Sequence, residues 1–352
     1  MSLLLLKSNE ELVKMTQQIF DKQFIKDPNL GNDLDDRRKR LMLQDIYYNI
    51  DNLEAAIAHD SELIVIDYIN WLMGLLAYRL KHLGLERVKT FMIDHYFLLK
   101  EAVEEVMDEG YVEKAEKHIN NAIKAIEKFE LHDISYLDGI RLESEAKNYL
   151  EALLSRDRQK ASEIILSSLQ NGVTLEEVYV DLFRPVMHEV GNLWYKNIIA
   201  VDKEHYATAV TQGVMSQLYP KIFATPKNGK TMVALCVGNE LHEMGIRMLS
   251  DLFEIQGWDT IYLGASVPWE SLIGSLEEYN PDLITLSVTM PNYLNNCRDT
   301  IDAIRKDKRF DHMKIAVGGK ALDMGNNLRE KWNIDVEATS YEELLEWTRI
   351  NL

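Results

Sequence analysis

Thr231-Met-Val-Ala-Leu-Cys-Val237, followed by Glu240-Leu-His242-Glu-Met-Gly245, decides the fold. The first stretch is a short β-rich apolar run, and residues 243–256 have helical periodicity, so the order is strand, turn, helix. His242 then sits in the turn at a strand's carboxyl end, where open α/β sheets bind ligands. An imidazole can donate one ring nitrogen to a metal while its other N–H bonds a carboxylate, which fixes the tautomer and raises ligand basicity. Glu240 is placed to be that carboxylate, and Gly245 lets the helix start approach a bulky ligand without a Cβ in the way.

Outward from this stretch the pattern continues. After Pro226-Lys-Asn-Gly229, apolar runs at 231–237, 259–263, 282–288, 313–317 and 334–337 alternate with helical segments. This alternation implies a parallel sheet with helices on both faces and a flavodoxin-like strand order. Ser340-Tyr-Glu-Glu343 reads as the capped start of a final helix. Upstream, helices are expected over 142–169, 174–190 and 202–223, with Asn171-Gly172 as a C-cap and Thr174-Leu-Glu-Glu177 as a capping box. Residues 1 to 130 are helical throughout, punctuated at Pro28-Asn-Leu-Gly31, His59-Asp60 and Gly84, and residues 130–140 form a connector. The expected organisation is an N-terminal helical domain (1–130), a helical bundle (141–225) and a Rossmann-like α/β domain (230–352).

The chain has 352 residues, enough for two or three domains with full cores. Its formal charge of −18, from 57 acidic against 39 basic side chains, argues against a nucleic-acid surface and against docking to an anionic membrane. Cys236 and Cys297 are the only cysteines, so no disulfide framework is indicated and the cytoplasm is the expected compartment. The apolar run from Leu3 to Leu6 is too short for a signal peptide or membrane span and reads as a helix end or subunit contact in a homo-oligomer.

The spacing around His242 resembles the cobalamin-binding fingerprint, Asp-x-His-x-x-Gly, then Ser-x-Leu, then Gly-Gly. Here 41 residues separate Gly245 from Ser287 and 28 separate Thr289 from Gly318, and the resemblance covers roughly residues 140–352. In that family the nucleotide tail of cobalamin leaves the metal and threads a slot beside the sheet, while the histidine becomes the lower axial cobalt ligand. The resemblance implies that His242 is that ligand, that Ser287 meets the base of the tail, and that Gly318 and Gly319 leave room for it. Glu240 stands where the family has Asp, and Thr289 where it has Leu.

The bundle carries a second constellation. Nine residues separate Trp194 from Glu204-His205. An indole can form an apolar lid over a planar macrocycle, and a Glu-His pair can supply hydrogen bonds or proton transfer beside it. The pattern resembles the helical cap of light-sensing cobalamin proteins, including the adenosylcobalamin repressors of carotenoid synthesis. In those repressors a histidine that captures cobalt follows the tryptophan. Tyr195 occupies that position here, leaving His188 or His205 as substitutes. The repressors also begin with a basic DNA reader, whereas this chain begins with helical segments and is acidic overall.

The N-terminal region holds His59, His82 and His95 with Tyr68, Trp71, Tyr78, Tyr96 and Phe97 among apolar residues. At helical spacing these read as core, and they are also the side chains that would hold a second tetrapyrrole such as a bilin (biliverdin) or haem. Without a cysteine there, a thioether link is excluded. The overall plan resembles photocobilins, which combine cobalamin with a noncovalent bilin. Two function classes follow. One is a light-responsive adenosylcobalamin sensor, not itself a conventional enzyme, that signals to a downstream protein. The other is a corrinoid methyl carrier of a methyltransferase system.

Overall fold

A computed structural model of the chain describes residues 10–324 and 331–352. The Leu3 to Leu6 run lies outside the described residues. The chain divides into two compact units. Unit 1 comprises residues 1–131 with 288–299 and 320–331, and unit 2 comprises 132–287, 300–319 and 332–352. Among the described residues no helix is long and apolar enough to cross a membrane.

Unit 1 is built on five helices: α1 (Glu10–Lys26), α2 (Asp36–His59), α3 (Glu62–Arg79), α4 (Leu85–Val106) and α5 (Glu109–Lys128). Their boundaries follow local chemistry. Asp35 and Asp108 cap α2 and α5 by accepting the backbone N–H groups of Arg38 and Tyr111. Asp60, in the left-handed region at φ 46°, ends α2, and Gly84 at φ 81° precedes α4. Pro28-Asn-Leu-Gly31 is more than a turn, because Leu30–Asp33 forms one helical turn of its own. The aromatic and histidine residues of this unit do not form one inward set. Tyr68, Tyr96, His59 and His95 are buried, while Trp71, Phe97 and His82 are exposed, and core packing accounts for the buried ones.

The interior of unit 1 is nonetheless polar in places. The Asn49 side-chain amide lies 2.9 Å from His95 Nε2, and Tyr96 donates its hydroxyl to Asn49 Oδ1. Burial pushes the His95 imidazole down to about 4 and pushes the Asp45 and Asp51 carboxyls up to about 7. A histidine whose folded value lies below its unfolded value contributes stability above pH 6.5 and loses it as pH falls toward 4. The two carboxyls act in the opposite sense, gaining protons on folding as pH falls from about 7 toward 3.8. His95→Gln is therefore expected to destabilise the chain at pH 7.5, with the deficit relative to the parent shrinking at pH 5. Urea unfolding at the two pH values measures this, and a deficit independent of pH refutes the assignment.

Unit 2 has a helical layer and a sheet layer. The helical layer contains α6 (Glu143–Leu154), α7 (Arg158–Gln170), α8 (Arg184–Tyr195) and α9 (Val201–Ile222). The expected helix over 142–169 is broken: Arg156 adopts φ 66°, and Asp157 starts a new helix by accepting Lys160 N–H. The capping box at Thr174 and Glu177 is present in both directions. It opens a single turn that widens into a π-helical stretch, Val178–Phe183, immediately before Pro185. A proline has no N–H for the preceding turn, and the wider turn accommodates that loss. The connector is strapped to α8, since Glu189 accepts the Tyr136 N–H at 2.8 Å and Asn192 donates to the Ile134 carbonyl at 2.9 Å.

The sheet is five-stranded and parallel, with order β2-β1-β3-β4-β5, the flavodoxin-like arrangement. Its elements are β1 (Thr231–Val237), α10 (Met244–Ile255), β2 (Asp259–Val267), α11 (Trp269–Tyr279), β3 (Leu283–Ser287), α12 (Leu294–Lys306), β4 (Lys314–Gly318), β5 (Val336–Ala338) and α13 (Tyr341–Asn351). β2 runs past the expected 259–263 because it continues through an irregularity, with Gly264 at φ 81° and shifted pairing to β1. Ser340 caps α13, but the Glu343 carboxylate turns to Thr339 instead of completing a capping box. One apolar core joins both layers, with Tyr149, Tyr179, Phe183 and Phe253 among its members, and Tyr179 donates to Asp251 across them at 2.8 Å.

Candidate functional site

Beyond β1 the chain turns at Gly238, where φ is 57°, and the Glu240 N–H returns to the Val237 carbonyl at 3.1 Å. This turn buries the Glu240 carboxylate completely and leaves His242 61% exposed. One carboxylate oxygen of Glu240 accepts the His242 backbone N–H at 3.0 Å and lies 2.5 Å from its Nδ1. The residue two positions back thus fixes both the backbone and the ring. With Nδ1 engaged, Nε2 is the nitrogen left to act as a donor to a ligand. The hydrogen bond to Glu240 raises the imidazole above its ordinary value against the opposing effect of burial, with the charges of Glu240 and Glu204 adding to the rise.

Gly245 lies in the first turn of α10, and a Cβ there would meet nothing within 4 Å. The space beside the helix start is open. Strand pairing brings the distant anchors together: Cys236 at the end of β1 is paired with Ser287 of β3, and Ser287 with Gly318 of β4. These are adjacent strands, about 4.8 Å apart. The buried Cys236 thiol lies 3.7 Å from the His242 carbonyl, and burial pushes it up to about 12. A Cβ at Gly318 would stand 3.0 Å from the Ala338 carbonyl, a tight contact, and Gly319 adopts φ 105°. Thr289 belongs to unit 1.

In the helical layer, Trp194 is half-buried against the shared core near the end of α8, with Tyr195 half-buried beside it. Glu204 lies in the first turn of α9. It accepts the Thr208 hydroxyl at 3.0 Å and lies 2.5 Å from His205 Nδ1, leaving the His205 ring 74% exposed. Each layer therefore holds a carboxylate-oriented imidazole. Seven residues after His205, on the same face of α9, Gln212 donates to Glu243 at 3.1 Å, and Tyr262 donates to the other oxygen of Glu243 at 2.9 Å. This link, next to His242, was not singled out from the sequence. Its only sequence signal is the adjacency of Glu243 to the histidine.

The donor set can be tested against a metal. Among the described residues no group of three or more His, Cys, Asp or Glu could hold a metal ion. A bare zinc ion needs three or four such ligands. A single oriented imidazole suits a metal whose other positions are filled by a macrocycle. Exposed apolar side chains flank both imidazoles, Leu241 beside His242 and Ile198 and Val201 between Trp194 and Glu204, as the edge of a large, partly apolar ring requires. The residues present fit a corrinoid.

Comparison with known proteins agrees. Residues 145–219 and 230–345 match two family models, each described as a B12 binding domain. The chain is thus a cobalamin-binding protein with a helical layer ahead of a flavodoxin-like domain. It is 29% identical over 136 residues to dimethylamine corrinoid protein 3 of Methanosarcina mazei, covering 38% of this chain and 78% of that relative. It is 27% identical over 136 residues to dimethylamine corrinoid protein 1 of Methanosarcina acetivorans, covering 38% of this chain and 61% of that protein. With the HTH-type transcriptional repressor CarA of Myxococcus xanthus it shares 27% identity over 178 residues, 49% of this chain and 58% of the repressor. The Methanosarcina barkeri monomethylamine corrinoid protein has the same fold, with a TM-score of 0.52 at 16% identity over 60% of this chain and 99% of that structure.

Proposed function

We propose that this chain is a corrinoid protein that carries a methyl group between partner methyltransferases. The observation that carries this reading is the Glu240–His242 pair, a buried carboxylate holding one imidazole with Nε2 free at the end of β1. When bound, cobalamin supplies a cobalt–carbon bond that can be made and broken, and the protein tunes its ligation. His242 would hold the cobalt of such a cofactor through Nε2, with Glu240 keeping Nδ1 engaged. Ser287, Gly318 and Gly319 would form the slot for the nucleotide tail, and Gly245 would keep the start of α10 clear of it. Trp194 would supply an apolar cover for the macrocycle, while Glu204 and His205 would present hydrogen-bonding groups beside it. The dimethylamine corrinoid proteins among the relatives support the carrier class.

The light-responsive adenosylcobalamin sensor is the second reading. Trp194, Glu204 and His205 at the spacing of the light-sensing cap favour it, as does the similarity to the repressor CarA. Tyr195, standing where those repressors have a histidine, counts against it. The two readings part in one experiment. With adenosylcobalamin bound, gel filtration in darkness and after green light is expected to show the same elution for a carrier. A light-induced change in elution, with the cofactor retained, transfers the assignment to the sensor.

A further inference from the structure

We propose that the N-terminal helices of unit 1 sense the nucleotide tail of the cofactor through two segments of the α/β chain that unit 1 incorporates. This rests on the cobalamin reading above. Residues 288–299 and 320–331 belong to unit 1, not to the unit that contains the sheet. Val288 directly follows Ser287, and Lys320 directly follows Gly319, so each segment begins where a candidate tail-binding residue ends.

The helices grip both segments. Ser61, fully buried ahead of α3, donates its hydroxyl to the Met324 carbonyl. Asp67 of α3 pairs with Lys320 at 3.1 Å, and α3 packs on Lys320–Met324. On the other segment, α2 packs on Pro291–Tyr293. The segments are also joined to each other, since Ala321 N–H donates to the Val288 carbonyl at 3.2 Å.

A tail lodged against Ser287, Gly318 and Gly319 restrains the first residues of both segments together. A ligand shifts a conformational equilibrium by its differential affinity for the ordered state, and restraint of a segment already packed on α2 and α3 lowers the opening rate of those helices. Corrin and cobalt, bound at His242, do not touch the segments in this scheme. The tail alone is the signal.

Hydrogen exchange of the full chain tests this with two probes, aquocobalamin and diaquocobinamide, which has the same corrin and cobalt but no nucleotide tail. Aquocobalamin is expected to slow exchange in residues 59–70 and 291–299 by about 10-fold, within the usual range of coupling between sites, while diaquocobinamide binds without slowing it. Equal slowing by both probes, or cobalamin bound with exchange in 59–70 unchanged, overturns the inference and leaves the cofactor assignment standing. Failure of aquocobalamin to bind overturns both. Ser61→Ala, which removes the bond to Met324 and lies outside the cofactor site, is expected to keep cobalamin binding and lose most of the slowing in 59–70. Full slowing retained in that variant also contradicts the inference.

Discussion

His242→Ala is expected to lower cobalamin affinity by more than the ~10- to 100-fold that removal of a supporting group around a metal ligand costs. The reason is that the buried Glu240 carboxylate holds this one ring by Nδ1 and leaves its Nε2 to act as the donor. Among the described residues no cluster of metal-ligating side chains exists, and the neighbouring Cys236 thiol is buried and held neutral. Glu240→Gln removes the charge but keeps an acceptor for the His242 backbone N–H, so its loss should be smaller than that of His242→Ala. Equilibrium dialysis against cobalamin gives both numbers. Parent-like affinity in His242→Ala would remove the histidine from the site.

Phe183→Ala is expected to destabilise unit 2 by about 3–5 kcal/mol, the usual cost of emptying a buried phenylalanine site. Phe183 is fully buried, with its ring 5.7 Å from Tyr149 and 5.4 Å from Tyr179. It also ends the π-helical stretch from which α8 emerges, so the cavity would open under the helix that carries Trp194. Urea unfolding followed by circular dichroism checks it. A loss below ~1 kcal/mol would mean that the layer closes over the cavity, contrary to the tight packing of such cores.

The sheet was legible because its strands are short apolar runs between turn residues that alternate with helical segments, the pattern of parallel strands covered on both faces. The strand ends were less so: β2 extends through a glycine irregularity, and β5 pairs with β4 at only three positions. The break at Arg156 and the widened turn before Pro185 escaped because apolar periodicity carries across both, while the backbone departs for one residue or one turn. In the site, the Glu240–His242 pair was readable because its members are two residues apart. The Gln212–Glu243–Tyr262 link and the assignment of residues 288–299 and 320–331 to the N-terminal unit were not, since they join residues far apart in sequence. Gly318 shows the limit in another way. It was expected to make room for a ligand, and the carbonyl of Ala338, 3.0 Å from where a Cβ would stand, favours a glycine there independently.

The most direct measurement is electron paramagnetic resonance of the paramagnetic cobalt(II) form of the cofactor bound to protein labelled with nitrogen-15 at histidine. Cobalt coupled to an axial nitrogen-14 gives each line as a triplet, and coupled to nitrogen-15 as a doublet. Ligation by His242 gives doublets in the labelled protein and triplets in labelled His242→Ala only if the cofactor's own base returns to the metal. Triplets in the labelled parent would show that the cofactor keeps its own base on cobalt, and His242 would not be its ligand.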